Sequence, residues 1–111
     1  MPLGSNLPFL RGASSETQTT AGSTQATAAQ MVADHVSVPN AGSGEGVILP
    51  AANASDWFTC TNADQTDGFF LYPPSGAAFN GETADAPLTM PPGSAALFVF
   101  TSPTKIIAIF S

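Results

Sequence analysis

The stretch SAALFVFTSPTKIIAIF, Ser94 to Phe110, decides how this chain is read. Two apolar runs are separated by Ser102-Pro103, which reads as the tip of a hairpin closing two β-strands. Side chains alternate between the faces of a strand, so Leu97 and Val99 point one way and Phe98 and Phe100 the other. The second run repeats this, with Ile107 and Ile109 opposite Ile106, Ala108 and Phe110. Strands apolar on both sides are strands covered on both sides.

Working outward, short apolar runs continue at spacings of roughly ten positions, the pattern of an all-β sandwich or barrel. Strands are predicted near His35 to Val38, Gly46 to Leu49, Trp57 to Thr61, Phe69 to Tyr72, Leu88 to Met90, Ala95 to Thr101 and Lys105 to Phe110. Turn formers stand between them: Pro39-Asn40, Gly42 to Gly44, Asp67-Gly68, Pro73-Pro74, Asn80-Gly81 and Pro91-Pro92-Gly93. In Trp57 to Thr61 the alternation of Phe58 and Cys60 with Thr59 and Thr61 marks a half-exposed strand. The expected fold is a small antiparallel β-sandwich or barrel-like module over residues 33–111.

Residues 1–32 differ in texture. ASSETQTTAGSTQATAAQ is polar, small and free of aromatics, so it buries too little surface to offset its ordering entropy. It is expected to be a flexible, low-complexity arm, with a weak helical tendency around Ala26 to Val32. Its removal is expected to leave the melting temperature of the module nearly unchanged. Ahead of it stands an apolar cluster, Leu7, Phe9 and Leu10 beside Arg11. An extended arm of this length reaches on the order of 100 Å, which makes the cluster either an anchor on a neighbouring protein or a terminal scrap.

A module of about 80 residues is too small to shelter Leu97, Phe98, Val99, Phe100, Ile107 and Ile109 alone. These six are the expected oligomer interface. Composition agrees with lasting protein contact: among 111 residues 43% are apolar and only 9% charged, against roughly 25% charged in ordinary soluble domains. Eight acids against two bases, Arg11 and Lys105, give a net charge of −6, which phosphate backbones and anionic lipid repel. Nucleic acid and membrane surfaces are therefore not expected partners. No apolar run approaches a membrane span, and the N-terminus lacks the pattern of a signal peptide, so a soluble protein made in the cytoplasm and not exported by the general route is expected.

Catalytic chemistry finds little to work with. Cys60 is the only cysteine and His35 the only histidine, 25 positions apart. Cys60 reads as a small buried hydrophobe and His35 as a structural or exposed side chain. Asp64 to Gly68, DQTDG, lacks the ligand alternation of a calcium loop and reads as a hairpin turn. Gly42 to Gly46 has no Lys-Ser or Lys-Thr to hold phosphate. Trp57 and Tyr72, with nearby acids, are core or interface aromatics, the alternative being a sugar-stacking platform. No catalytic residue, cofactor or metal is expected, and the protein is not expected to be an enzyme.

The order GVILPAA, WFTCTNA, GFFLYPPSGAAFNG, LTMPPGSAALFVF resembles small virion structural proteins of tailed bacteriophages, above all capsid decoration (cement) proteins. The residues that carry it are Leu49, Pro50, Asn62, Tyr72, Pro73, Gly76, Asn80, Gly81, Pro92, Gly93 and Ser94. Where that pattern often ends in a Trp-containing strand, this chain has KIIAIF. The resemblance implies a β-rich, non-enzymatic homotrimer on the capsid surface, stapling subunits of the major capsid protein. A tail, neck or fibre component, or a carbohydrate-binding β-sandwich, is the alternative.

Overall fold

The computed structural model describes residues 15–111, so Leu7, Phe9, Leu10 and Arg11 lie outside the described residues. Ten strands follow one another, with no helix among the described residues: β1 (Ser15–Thr17), β2 (Ala29–Gln30), β3 (His35–Val38), β4 (Gly46–Ile48), β5 (Trp57–Asn62), β6 (Phe69–Tyr72), β7 (Ala78–Phe79), β8 (Leu88–Met90), β9 (Ala95–Ser102) and β10 (Lys105–Phe110). They form two sheets. Sheet A runs β1-β3-β5-β9-β10-β7 and sheet B runs β2-β4-β6-β8.

The chain is all-β, as its turn spacing implies, but its path is that of a coil rather than of an antiparallel sandwich. From β1 to β6 it crosses from sheet A to sheet B and back, laying each new strand parallel to the one a full turn earlier. Ser15, His35 and Thr59 are thereby stacked in one column of sheet A, and Ala29, Val47 and Leu71 in one column of sheet B. This is a β-solenoid-like arrangement. After Pro73 the direction reverses: β8 pairs antiparallel with β6, β9 with β5 and β10 with β9. The C-terminal meander thus covers the last parallel rung of both sheets. Only β9 and β10 are joined by the tight hairpin that Ser102-Pro103 signals.

The core lies between the sheets. Val36, Val38, Cys60, Ala96, Phe98 and Phe100 from sheet A meet Val47, Leu49, Phe69, Leu71 and Met90 from sheet B. On the other face of sheet B Gly46 makes room for a side chain, because a Cβ there would lie 2.7 Å from the ring of Tyr72. Gly81, at φ 84°, turns the chain out of β7 in a conformation that side chains resist.

The boundary drawn between arm and module at residue 33 does not match the structure. β1 pairs with β3 and β2 with β4, so both lie within the sheets. Residues 24–28 form a hydrogen-bonded turn rather than a helix, with the Ala28 amide donating to the Thr24 carbonyl at 2.9 Å. Gln18 is the reason so polar a segment stays in place. Its side chain is buried, with Nε2 donating to the carbonyls of Thr19 (2.8 Å) and Gln30 (3.1 Å) and Oε1 accepting from the Val32 amide (2.9 Å). The Met31 amide faces the other way, toward the Ile48 carbonyl of β4. The Gln18 amide therefore takes the place of a neighbouring strand along the free edge of sheet B, and satisfies backbone groups that burial would penalise.

Removal of residues 1–30 takes β1, β2 and Gln18 with it, reversing the expectation from composition. A loss of only about 2 kcal/mol lowers the melting temperature of a domain this size by roughly 10 °C. Calorimetry of the shortened chain is expected to show at least that fall. An unchanged melting temperature would mean that the first rung contributes nothing to the core.

Candidate assembly surface

Four strands of sheet A present one continuous outward face. In β5, Phe58, Cys60 and Asn62 are buried while Trp57, Thr59 and Thr61 are not. In β3, Val36 and Val38 are buried while His35 and Ser37 face out. In β9 the buried set is Ala96, Phe98 and Phe100, which leaves Leu97 and Val99 outward. Register then aligns two outward rows. One runs Ile109, Leu97, Thr59, His35, and the other Ile107, Val99, Trp57.

The face is apolar and open. Trp57 is 51% exposed, Ile109 54% and Ile107 41%, while Phe110, 43% exposed, lies on the other side of β10 at its end. A shallow groove of about 310 Å³ crosses its end, lined by Thr59, Thr61, Leu97, Ile109 and Phe110 among others. No acid occurs in β3, β5, β9 or β10, and Lys105 is their only charged residue. In a chain of net charge −6, these strands carry no carboxylate. Exposed apolar surface of this kind, gathered in one place, marks a contact site.

Of the six residues expected at an oligomer interface, Leu97, Val99, Ile107 and Ile109 lie on this face. Phe98 and Phe100 do not. Both are fully buried inside the protomer, Phe98 with its ring 5.7 Å from that of Phe79 and Phe100 edge-on to Phe58 at 5.8 Å. A second sheet behind sheet A supplies the cover that a single layer would have lacked. Trp57, read from sequence as a core or interface aromatic and not among the six, belongs to this surface, in step with Thr59 and Thr61.

The remaining candidates fall apart spatially. His35 is stacked beside Thr59, with Nδ1 2.7 Å from its Oγ1, and its ring lies 5.0 Å from that of Trp57 at an interplanar angle of 54°. Cys60 follows Thr59 and faces the core, fully buried, where desolvation pushes its thiol up to about 12. Nucleophile and base therefore occupy opposite faces of one sheet. Trp57 and Tyr72 form no common platform either: Tyr72 is buried in sheet B, its hydroxyl donating to the Ser23 carbonyl at 3.3 Å. Among the described residues no three His, Cys, Asp or Glu side chains gather as they would to hold a metal ion.

Asp64 to Gly68 is a corner between β5 and β6, which belong to different sheets, and not a hairpin. The Asp64 carboxylate fastens it, accepting from the amides of Thr66 (2.7 Å), Asp67 (3.1 Å) and Ala41 (3.0 Å). Asp85 does the same elsewhere, accepting from the Gly76 amide at 2.7 Å and Gln25 Nε2 at 3.0 Å. Those hydrogen bonds favour the ionised forms, foremost Thr66 for Asp64 and Gly76 for Asp85, and hold both pKa values below the ordinary 3.8. A lowered folded-state pKa contributes stability that is present above the unfolded value and lost as pH falls through the folded one. Melting temperature is accordingly expected to stay level from pH 8 to about 5 and to fall below about pH 4. Asp64→Asn should flatten that fall in thermal melts, and an unaltered acid profile would remove Asp64 as a contributor.

Comparison with protein-family models finds none that matches the chain, and comparison with curated proteins finds no match either.

Proposed function

We propose that this protein is a non-enzymatic virion structural subunit of the capsid-decoration type, which associates with copies of itself through the outward face of sheet A. The observation that carries the proposal is that face: Trp57, Leu97, Val99, Ile107 and Ile109 lie together and uncharged, on strands whose other side supplies Phe58, Phe98, Phe100 and Ile106 to the core. A surface held rigid by a two-sheet core and made of aliphatic and aromatic side chains suits permanent contact with protein. In this reading the two layers serve as the β-rich module that the resemblance implies. The copies form a homotrimer, and the trimer stands on a shell of major capsid protein.

Leu7, Phe9, Leu10 and Arg11 are the proposed attachment to that shell. An apolar tip on a polar segment recovers its ordering cost only by filling a pocket, and three such tips on one trimer bind as a linked set.

Light scattering tests the association. Wild-type protein is expected to be oligomeric at micromolar concentration, and Ile107→Asp/Ile109→Asp to be a folded monomer, because both side chains are exposed in the protomer. A wild type that stays monomeric overturns the assignment. Shells stripped of the protein then test attachment: they should take up wild type and take up Phe9→Ala/Leu10→Ala poorly while that variant stays oligomeric. Equal uptake would move attachment to the β module.

A further inference from the structure

We propose that in the free protomer the segment Leu7 to Leu10 docks across the outward face of its own sheet A, and that a second copy displaces it, so that the segment becomes available to a shell only on associated protein. The docking rests on the geometry of the face. The displacement rests, in addition, on the reading of that face as the self-association surface.

Register places the segment beside the face. Ser15 opens β1 in line with His35, which is in line with Thr59, Leu97 and Ile109, so the outward row of sheet A ends at the first residue of β1. Strands β1, β3 and β5 are parallel, and Trp57 precedes Thr59, so the chain enters β1 from the side of the second row, Ile107, Val99, Trp57. From β1 the apolar strands β9 and β10 are three and four strand spacings away, about 14 and 19 Å. Leu10 and Leu7 stand five and eight residues ahead of Ser15, which lets them reach about 17 and 27 Å. The tether is thus long enough to lay Leu7, Phe9 and Leu10 over Val99 and Ile107.

The chemistry of the two parts matches. Trp57, Ile107 and Ile109 leave apolar area open to water, and Leu7, Phe9 and Leu10 are the large apolar side chains nearest in sequence to β1. Arg11, the one base ahead of β1, passes the end of the sheet where Asp34 and Asp56 directly precede His35 and Trp57. Pro8 has no amide to give a ladder, so the segment adds side chains to the face and no further strand to the edge. A tether this short holds the segment at an effective concentration on the order of millimolar, so even a weak contact keeps the face covered in dilute protein. A second copy then competes for the face, and a face covered about nine-tenths of the time weakens apparent association about tenfold.

Trp57, the single tryptophan of the chain, reports on the face. The experiment is acrylamide quenching of its fluorescence in the full chain, wild type and Leu7→Ser/Phe9→Ser/Leu10→Ser, over a dilution series whose oligomeric state is followed by sedimentation equilibrium. The substituted residues lie outside β1 to β10, so the variant keeps its fold. In monomeric protein the wild-type tryptophan is expected to be quenched at least about twofold less than the variant's, and the variant to associate about tenfold more tightly because its face needs no uncovering. Equal quenching of the two monomers overturns the docking and leaves self-association to its own test. A protected wild-type tryptophan in proteins that stay monomeric at every concentration upholds the docking and overturns self-association through this face. Protection that appears only as wild type associates, or an associating wild type that holds together as tightly as the variant, overturns the exchange of segment for copy.

Discussion

Truncating Phe98 to alanine costs the isolated protomer about 3–5 kcal/mol, the range of buried aromatic deletions. The ring is fully buried, lies across the ladder from Phe58 on one side and Ala108 on the other, and packs against Phe79. It therefore joins β5, β7, β9 and β10 at once, and its removal leaves a void among them. Against a total stability of about 5–15 kcal/mol the variant is marginal. Urea denaturation followed by circular dichroism checks this, and the loss should not change with protein concentration, since the contact is within one chain. A loss below 1 kcal/mol, or one that disappears in the assembled state, would return Phe98 to the interface.

Asn62→Leu is the second large effect, although leucine branches at the same carbon. Asn62 is fully buried at the end of β5, with Nδ2 donating to the carbonyls of Asp67 (2.9 Å) and Met90 (3.1 Å) and Oδ1 accepting from the Asp64 amide (3.0 Å). One amide thus ties β5, the corner after it and the end of β8. Leucine leaves three backbone groups without these partners, at about 1–3 kcal/mol for each that water cannot reach, so a loss of about 3 kcal/mol or more is expected. Asn62→Asp gives a sharper check. Its carboxylate faces two carbonyls, which raises its folded pKa, so this variant should gain stability as pH falls toward 5 while wild type does not. A variant insensitive to pH would mean that the corner rearranges around residue 62.

The seven strands expected from alternation and turn residues are all present, four of them with the same bounds. β1, β2 and β7 were not legible, because SET, AQ and AF carry no pattern. They are strands by virtue of ladders already laid beside them and of amides such as Gln18. Strand direction was not legible either: alternation within His35 to Val38 or Phe69 to Tyr72 is the same whether the neighbour is parallel or antiparallel. What distinguishes the coil is that partners in one sheet stand a full turn apart, as His35 and Thr59 do, with a strand of the other sheet between. Leu97 and Phe98 illustrate the limit for the surface. Both faces of β9 are apolar, so the pattern gives two rows without saying which one turns inward, and the aromatic row goes in because sheet B supplies Phe69, Leu71 and Met90 to meet it.

Gln18 has a counterpart on sheet A. There the Asn80 amide N–H donates to the Ile106 carbonyl, and Oδ1 of the same residue accepts from the Ala108 amide, both at 2.9 Å, so a side chain continues the β7 ladder along β10 for one more step. A coil of parallel rungs is by nature a unit that repeats, and a bare edge would invite the next chain to become the next rung and the one after it to follow, which is how fibres grow. A side-chain amide completes the hydrogen bonding at such an edge and offers nothing onward. Edges closed in this way resist the addition of further rungs, and under the proposed function they would turn self-association away from open fibres and toward the broad face of sheet A.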